Sequence, residues 1–459
     1  MTLFGTAGIR GDVSERLTPD LALAVGRAAA ADAVDRENAT PEFVIARDGR
    51  ETGPALVAAL EAGLESAGAA VRRAGVLPTP ALAFASRGRR GVMVTASHNP
   101  PTDNGLKLFA DGEEYGDDAE GRIERRVAEP DPPTAWHEWG SADRIDPLPD
   151  YRDRIVAYAS GHGAALDGRV VVDCGNGMAS RATPQVLGAL GADVTGLNAN
   201  VDGHFPARGS KPTPETLGDL RAFLRDAGDE TEGAALGIAH DGDADRVVFL
   251  DRNGEIVHED TVVAILAEQY TRTSDAADPV VVTTPNASSR IDERVAAAGG
   301  RVERVRLGAL HVGIAAVEEA GDADTSVVFA AEPWKHVHPD LGPWIDGVAS
   351  AAVFSRLVAE RGLATLREPI AERPYRKVSV DCPDDRKAAA MERLATTLPE
   401  AFPEADVETE HGVRLDLDEG WVLVRPSGTE PKVRVYAESE RVEKLRERAV
   451  TRVEAAVES

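Results

Sequence analysis

The sequence predicts an α/β protein of several domains, three of them alike with helix-covered mixed sheets, followed by a smaller C-terminal α+β domain. Three observations predict this. The chain has 459 residues, enough for more than one buried core. A strand–helix–strand pattern occurs three times along it. The final segment changes to two strands around a loop and a charged helix.

Size and composition come first. Hydrophobic residues make up 42% and charged residues 28%, the balance of a globular chain and not of a disordered one. The recurring pattern begins with Glu42-Phe43-Val44-Ile45-Ala46, a helix from about Gly53, and Gly68-Ala69-Ala70-Val71. It returns as Arg169-Val170-Val171-Val172-Asp173, a helix from about Arg181, and Gly191-Ala192-Asp193-Val194. The third copy is Pro279-Val280-Val281-Val282-Thr283, a helix from about Arg290, and Gly299-Gly300-Arg301-Val302. Each apolar run suits a strand covered on both faces by helices. The last segment has strands at Gly420-Trp421-Val422-Leu423-Val424 and Val433-Arg434-Val435-Tyr436, then a helix from about Arg441. Polar or Pro-rich stretches interrupt the rhythm from Glu129 to about Pro149, from Asp251 to Glu255 and from Arg367 to Pro374. They divide the chain into blocks 1–149, 150–251, 252–367 and 368–459.

Charge excludes some partners. The formal net charge of −27 repels nucleic acid and anionic membranes. The most apolar early stretch, Leu21 to Val34, is broken by Arg27 and Asp32, so no membrane span is expected. The opening Met1-Thr2-Leu3-Phe4-Gly5 lacks a basic region followed by an apolar one, and the expected location is the cytoplasm. Cys174 and Cys382 stand far apart, in no metal-ligand spacing, and read as ordinary semi-buried thiols. An acidic, lysine-poor, alanine-rich chain resembles proteins of salt-adapted cytoplasm. At about 1 M salt the screening length is roughly 3 Å, so surface self-repulsion largely vanishes. The scarce lysines Lys107, Lys211, Lys335 and Lys432 fall in Gly- or Pro-containing segments that read as loops, where a lysine serves as a point charge for phosphate.

Four segments carry chemistry. Thr95-Ala96-Ser97-His98-Asn99-Pro100 follows the apolar run Gly91-Val92-Met93-Val94, which places Ser97 beyond the carboxyl end of a strand, where α/β sheets gather ligands. A serine hydroxyl needs activation. His98 is adjacent, but neighbours on a turn usually point apart, and no Gly-x-Ser-x-Gly elbow is present. Alone, the segment reads better as a Ser/Asn turn ended by Pro100. Asp241-Gly242-Asp243-Ala244-Asp245-Arg246 sets three carboxylates at alternate positions with small residues between. Oxygen-only ligands suit magnesium or calcium. An EF-hand loop fails at its sixth and twelfth positions, which are Arg246 and Arg252. The remaining rival is a solvated acidic turn.

The third segment, Arg425-Pro426-Ser427-Gly428-Thr429-Glu430-Pro431-Lys432 with Arg434 beyond, concentrates hydroxyls, a glycine and cations. That set suits a phosphate dianion, though the spacing is not that of a Walker loop. The fourth, Phe4-Gly5-Thr6-Ala7-Gly8-Ile9-Arg10-Gly11, allows close backbone approach and places Arg10 within reach of an anion. Gly175-Asn176-Gly177-Met178-Ala179-Ser180 loosely matches a dinucleotide fingerprint, but its third glycine is Ser180.

Together these segments resemble the α-D-phosphohexomutase family, in order and over nearly the whole chain, from Phe4 to about Tyr436, in the manner of an archaeal salt-adapted member. The resemblance implies four domains in a heart-like arrangement. It implies a phosphoserine at Ser97, with Mg2+ held by Asp241, Asp243, Asp245 and a phosphoserine oxygen. Arg10 and Lys107 would flank the transferring phosphoryl, with His98 as a further catalytic candidate beside the serine. The substrate's own phosphate would sit on Arg425, Ser427, Gly428 and Thr429, with Lys432 nearby. Arg246, Glu332 and His336 are candidates for binding the sugar. The activity implied interconverts hexose 1-phosphate and hexose 6-phosphate, the sugar being glucosamine, mannose or glucose. A sugar bisphosphate would serve as intermediate and activator. A phosphopentomutase of the same family and a serine-dependent sugar phosphatase are the alternatives. Small sugar phosphates are the expected partners, and the expected assembly is a monomer or homodimer. The sugar loop departs from the family pattern: Ala331-Glu332-Pro333-Trp334-Lys335-His336 has Trp334 for a serine and Lys335 for a glycine.

Overall fold

The β-branched runs become strands at their expected places in the computed structural model, which describes every residue except 1, 2, 6, 7, 37–39, 228–235, 419, 428, 429 and 459. By compactness the chain divides into two units, Met1–Val262 with Trp334–Leu366, and Val263–Pro333 with Arg367–Ser459.

The first unit holds two sheets. One consists of β1 (Ile9–Asp12), β2 (Glu42–Arg47), β3 (Ala70–Val76), β4 (Arg90–Val94), β5 (Asp103–Ala110), β6 (Glu113–Glu114) and β7 (Ala142–Arg144). Its order is β1-β5-β4-β2-β3-β7, with β6 beside β5. β2 runs parallel to β3 and β4, whereas β5 is antiparallel to β4 and β1. Four consecutive residues of β2, Phe43 to Ala46, are buried, as a strand covered on both faces requires. The other sheet has β8 (Arg169–Asp173), β9 (Asp193–Leu197), β10 (Leu236–His240) and β11 (Val247–Leu250) in the order β11-β10-β8-β9. Only β11 is antiparallel to its neighbour. The short strand β15 (Lys335–Val337) also belongs to this unit.

In the second unit, β12 (Asp278–Thr283) lies between β13 (Arg301–Arg304) and β14 (Thr325–Glu332), parallel to both. The C-terminal sheet is wholly antiparallel, with β16 (Tyr375–Asp381), β17 (Asp406–Glu408), β18 (Val413–Leu417), β19 (Gly420–Pro426) and β20 (Lys432–Ser439) in the order β16-β20-β19-β18-β17. Helices Asp384–Ala401 and Val442–Glu458 contribute to its core.

Two expectations need correction. Lys107 lies within β5 and is buried, while Lys335 and Lys432 open strands; of the four lysines only Lys211 sits in a loop. The glycine beside Lys107 is a strand residue. A Cβ on Gly105 would stand 2.3 Å from the Thr95 carbonyl oxygen, so its presence marks close packing and not a turn. The helix expected from about Arg181 is Thr183–Ala189, entered through a 3-10 turn, Met178–Arg181. The Met178 N–H is drawn to the Gly242 carbonyl at 2.9 Å, which holds the turn against the acidic loop. Both cysteines are free thiols, as expected, but fully buried and not half-buried.

One tight contact sets the first core. Helices α1 (Pro19–Arg36) and α2 (Gly53–Ser66) touch backbone to backbone. A Cβ on Gly63 would meet the Leu23 carbonyl oxygen at 2.2 Å, and one on Gly26 the Leu60 carbonyl oxygen at 2.3 Å. Neither partner is a side chain able to swing aside. Gly63→Ala is therefore expected to lower stability by about 1–3 kcal/mol through overpacking, despite alanine's better helix propensity. Urea unfolding checks this, and an unchanged or raised midpoint would refute the contact.

Candidate active site

The serine loop leaves β4 and turns sharply. Ser97 has φ 51°, a left-handed conformation uncommon for a residue with a Cβ, and it is fully buried. Its N–H donates to Thr95 Oγ1 at 2.9 Å. Its hydroxyl donates to Asp241 Oδ2 at 2.7 Å. His98 does not point away as neighbours on a turn usually do: its Nδ1 lies 3.3 Å from Ser97 Oγ. The left-handed turn at Ser97 brings the two side chains to the same side. Burial, with Arg246 and Arg10 adding repulsion, pushes the His98 pKa down to about 2, so the imidazole is neutral at ordinary pH.

The acidic loop joins β10 to β11. Asp241, Asp243 and Asp245 are all buried, each offering a carboxylate oxygen within 4.8 Å of the others. Ala244 at φ 62° closes the curl. Gly242 is small for a further reason: a Cβ there would stand 2.6 Å from the Ser97 carbonyl oxygen. The acidic and serine loops thus meet backbone to backbone. The Gly175-Asn176-Gly177 turn supports the same loop, since a Cβ on Gly177 would meet the Gly242 carbonyl at 2.7 Å, and one on Gly175 would meet the Arg208 guanidinium. Its glycines are spent on protein contacts, which removes the dinucleotide reading.

Cations surround the carboxylates. Lys107 Nζ is 2.8 Å from Asp245 Oδ2, 3.5 Å from Glu114 and 3.8 Å from Asp243. Arg246 Nε is 3.8 Å from both Asp241 and Asp245. Arg10, on β1 opposite Gly105, has a buried Nε without a hydrogen-bond partner among the described residues. Burial, reinforced by Asp245 and Asp243, holds the Asp241 carboxyl well above the usual range. Burial pushes Asp245 the same way, but Lys107, Lys335 and Arg246 outweigh it and hold its pKa below the usual value. Burial opposes the Lys107 charge, and Asp245, Glu114 and Asp243 overcome it and raise its pKa.

The carboxylates fit a cation. Asp243 Oδ1 and Asp245 Oδ1 are buried with no hydrogen-bond partner among the described residues. Unsatisfied buried carboxylate oxygens are costly, and three converging carboxylates are the donor set of a hard divalent ion. A solvated acidic turn does not describe groups this buried. Sequence reading missed Thr79, whose Oγ1 donates to Asp243 Oδ2 at 2.6 Å and whose N–H donates to the Asp243 carbonyl at 3.0 Å. A threonine followed by proline at the start of helix α3 (Thr79–Ala85) reads as a helix start, and no local signal ties it to Asp243.

The residues expected to bind the sugar fall in both units. Glu332 ends β14 in the second unit, and its carboxylate accepts the Gly308 N–H. His336 belongs to the first unit and is buried, with Nδ1 2.9 Å from Ser350 Oγ. Trp334 adopts φ 67°. It packs against the Val171–Leu217–Leu224 cluster, with Lys211 Nζ 5.8 Å from its ring centroid.

The expected phosphate loop spans β19 and β20 in the second unit. Ser427 N–H donates to the Lys432 carbonyl at 2.8 Å, and Ser427 Oγ accepts the Glu430 N–H at 3.2 Å. Arg425 donates to Tyr436 Oη at 2.9 Å. Glu430 holds Arg434 at 2.6 Å and Lys432 at 3.7 Å. Lys387 was not foreseen. From helix Asp384–Ala401 it donates to the Ser427 and Glu430 carbonyls at 2.7 and 2.6 Å and closes the loop. Gly428 and Thr429 lie outside the described residues.

Comparison with known proteins gives matches along nearly the whole chain. Residues 1–133, 149–254 and 258–376 match alpha/beta/alpha domains I, II and III of phosphoglucomutase/phosphomannomutase, and residues 378–455 match its C-terminal domain. A phosphopentomutase of Thermococcus kodakarensis is 40% identical over 447 residues, covering 96% of this chain and 94% of the relative. A probable phosphoglucosamine mutase of Methanopyrus kandleri is 41% identical over 454 residues, covering 97% and 95%. Among solved structures, a phosphoglucomutase/phosphomannomutase family protein of Burkholderia thailandensis superposes with a TM-score of 0.86 at 26% identity, covering 99% of this chain and 97% of that one.

Proposed function

The chain belongs to the phosphoglucomutase/phosphomannomutase family of mutases, with its four-domain architecture, and we propose that it interconverts hexose 1-phosphate and hexose 6-phosphate through phospho-Ser97 and a sugar bisphosphate. One observation carries the reading: a buried serine hydroxyl is hydrogen-bonded into a three-carboxylate loop in which two buried oxygens, Asp243 Oδ1 and Asp245 Oδ1, have no hydrogen-bond partner among the described residues.

Phosphoryl transfer requires fixed placement of the group and neutralisation of its charge. Phospho-Ser97 gives its phosphoryl to the sugar's free hydroxyl; the bond to Oγ breaks as the bond to the sugar oxygen forms. The bisphosphate turns round, and its other phosphoryl returns to Ser97. Lys107 and Arg10 face the transferring group and offset its charge. His98, kept neutral, places an imidazole nitrogen beside Oγ without adding charge. Mg2+ would be held by Asp241, Asp243 and Asp245 with a phosphoserine oxygen, and when bound it supplies charge neutralisation for the transferring group. Arg425, Ser427, Gly428, Thr429 and Lys432 hold the phosphate that is not in transit. Arg246, Glu332 and His336 bind the sugar. The enzyme acts on sugar phosphates in the cytoplasm as a monomer or homodimer, and its net charge of −27 supports an archaeal, salt-adapted setting.

The sugar is glucosamine, mannose or glucose. The relative named phosphopentomutase, at 40% identity, and the exchanged residues Trp334 and Lys335 support a second reading in which a pentose phosphate is the substrate. A coupled mutase assay in molar KCl with Mg2+ and a trace of hexose bisphosphate decides between them. Glucose, mannose and glucosamine 1-phosphates are compared with ribose 1-phosphate. Isomerisation of one hexose alone supports the first reading, and of ribose alone the second. Release of inorganic phosphate with no isomer would sink both and leave a phosphatase.

The Thr79 hydroxyl orients Asp243, and partners of this kind are typically worth 10–100-fold in metal affinity. Thr79→Val is expected to weaken Mg2+ binding, measured by calorimetry, by about tenfold, with Thr79→Ser close to the parent. Equal affinities in all three proteins would show that the hydroxyl does not orient the ligand.

A further inference from the structure

The serine loop folds around a single guanidinium. Arg50, in the Asp48-Gly49-Arg50 turn after β2, has a fully buried side chain. An arginine has five N–H donors in one planar fork, and all five of Arg50's are used. Nε donates to Asp48 Oδ2 at 3.0 Å. Nη1 donates to the carbonyls of Pro100 at 2.5 Å and Asp103 at 2.8 Å. Nη2 donates to the carbonyls of Ser97 at 3.0 Å and Asn99 at 2.8 Å. Four carbonyls between Ser97 and Asp103 are thereby drawn to one plane, and buried carbonyls without such donors are costly.

Asp48 completes the grip from the other side. Its Oδ2 accepts Thr95 Oγ1 at 2.7 Å, and Thr95 Oγ1 accepts the Ser97 N–H at 2.9 Å. The two peptide groups of Ser97 are thus held by one ion pair, the N–H through Thr95 and the carbonyl by Arg50 directly. The guanidinium is fixed in turn. Its carbon stands 5.1 Å from the Phe205 ring centroid, and Ser210 Oγ donates to the same Asn99 carbonyl at 2.9 Å. Ser97 sits at φ 51°, and an unfavourable backbone state persists only where its surroundings over-determine it.

We propose that Arg50 is a positioning residue of the transfer reaction, the group that holds Ser97 Oγ at the point where it gives and retakes a phosphoryl. The proposal rests on the reading of Ser97 as phosphoryl carrier. Arg50 touches no reacting atom; it acts through the loop. A carrier that both donates and accepts the group must present its oxygen in line twice per cycle, and displacements of about 1 Å cost on the order of 100-fold in rate. Lysine cannot replace the fork. It offers three donors on a point charge, against five in a plane.

The experiment uses the full-length enzyme labelled from a sugar bisphosphate and observed by 31P NMR. The parent is expected to show a phosphoserine signal that is absent from Ser97→Ala. Arg50→Lys is expected to lose about 100-fold in kcat, with KM for the sugar phosphate within about twofold, since its binding groups are untouched. Arg50→Ala is expected to recover at least about tenfold when guanidinium ion is added, because a planar donor again fills the site. A role in folding alone would lower the active fraction without such recovery. Should Arg50→Ala fail to fold, Asp48→Asn takes its place, with an expected tenfold or so fall in kcat at constant KM. A parent that never carries a phosphoryl on Ser97 would overturn the functional reading and the clamp with it. A phosphorylated parent with an Arg50→Lys variant of unchanged kcat, or one altered only in KM, would overturn the clamp alone.

Discussion

Ser97→Ala is expected to abolish mutase turnover, by about 10⁴-fold or more, while leaving the protein folded. The magnitude follows from removing a covalent carrier for which the site holds no substitute. His98 Nδ1 is the other nucleophilic atom beside the position. It cannot take over the cycle without moving the phosphoryl away from the place proposed for it beside Lys107 and Arg10. The fold should survive because what anchors the loop is backbone: the Ser97 N–H to Thr95 Oγ1 and the Ser97 carbonyl to Arg50 remain in alanine. The lost hydroxyl bond to Asp241 is one of several to the acidic loop. A coupled assay beside a thermal unfolding scan checks both halves. Residual activity within about 100-fold of the parent would mean that another group carries the phosphoryl.

The second large effect is on stability. Lys107→Met is expected to cost about 3–5 kcal/mol, the usual consequence of stranding a buried charge by deleting its partner. The lysine is 2% exposed and lies between Asp245, Glu114 and Asp243. Methionine fills much the same space, so the loss would be electrostatic and not a cavity effect. Arg246, at 3.8 Å from Asp241 and Asp245, is too distant to replace a 2.8 Å contact. The midpoint of urea unfolding in chelator measures the loss. Added Mg2+ should recover part of it, since a ligand present at 100 times its Kd stabilises by about 2.7 kcal/mol. A shift worth less than about 1 kcal/mol in chelator would show that the carboxylates are neutralised in some other way. With Mg2+ present the variant is also expected to lose turnover relative to the parent, because the charge proposed to face the transferring group is gone.

The sequence by itself determined the core strands of the repeated units and of the last domain, the order of the motifs and the family. Each is a local property. A run such as Val170-Val171-Val172 is apolar without interruption because a strand covered on both faces has no polar side, and an Asp-Gly-Asp-Ala-Asp string displays its donor set in the one-dimensional record. The third and fourth motifs were singled out for the same reason: hydroxyls, glycines and cations stand next to one another. Reading failed where neighbours in sequence are not neighbours in chemistry. Gly105 suggested a loop at Lys107, yet it marks a strand packed on the Thr95 carbonyl. His98 was expected to point away from Ser97, and a single left-handed φ reversed that. Thr79, Arg50 and Lys387 carried no signal at all, because each acts on a loop 40 or more residues away, to Asp243, to Ser97 to Asp103, and to Ser427 and Glu430. Only the tertiary structure decided those roles. Buried carbonyls and carboxylates must be satisfied by whatever donor the fold brings beside them, and a donor's distance along the chain leaves no trace in local composition.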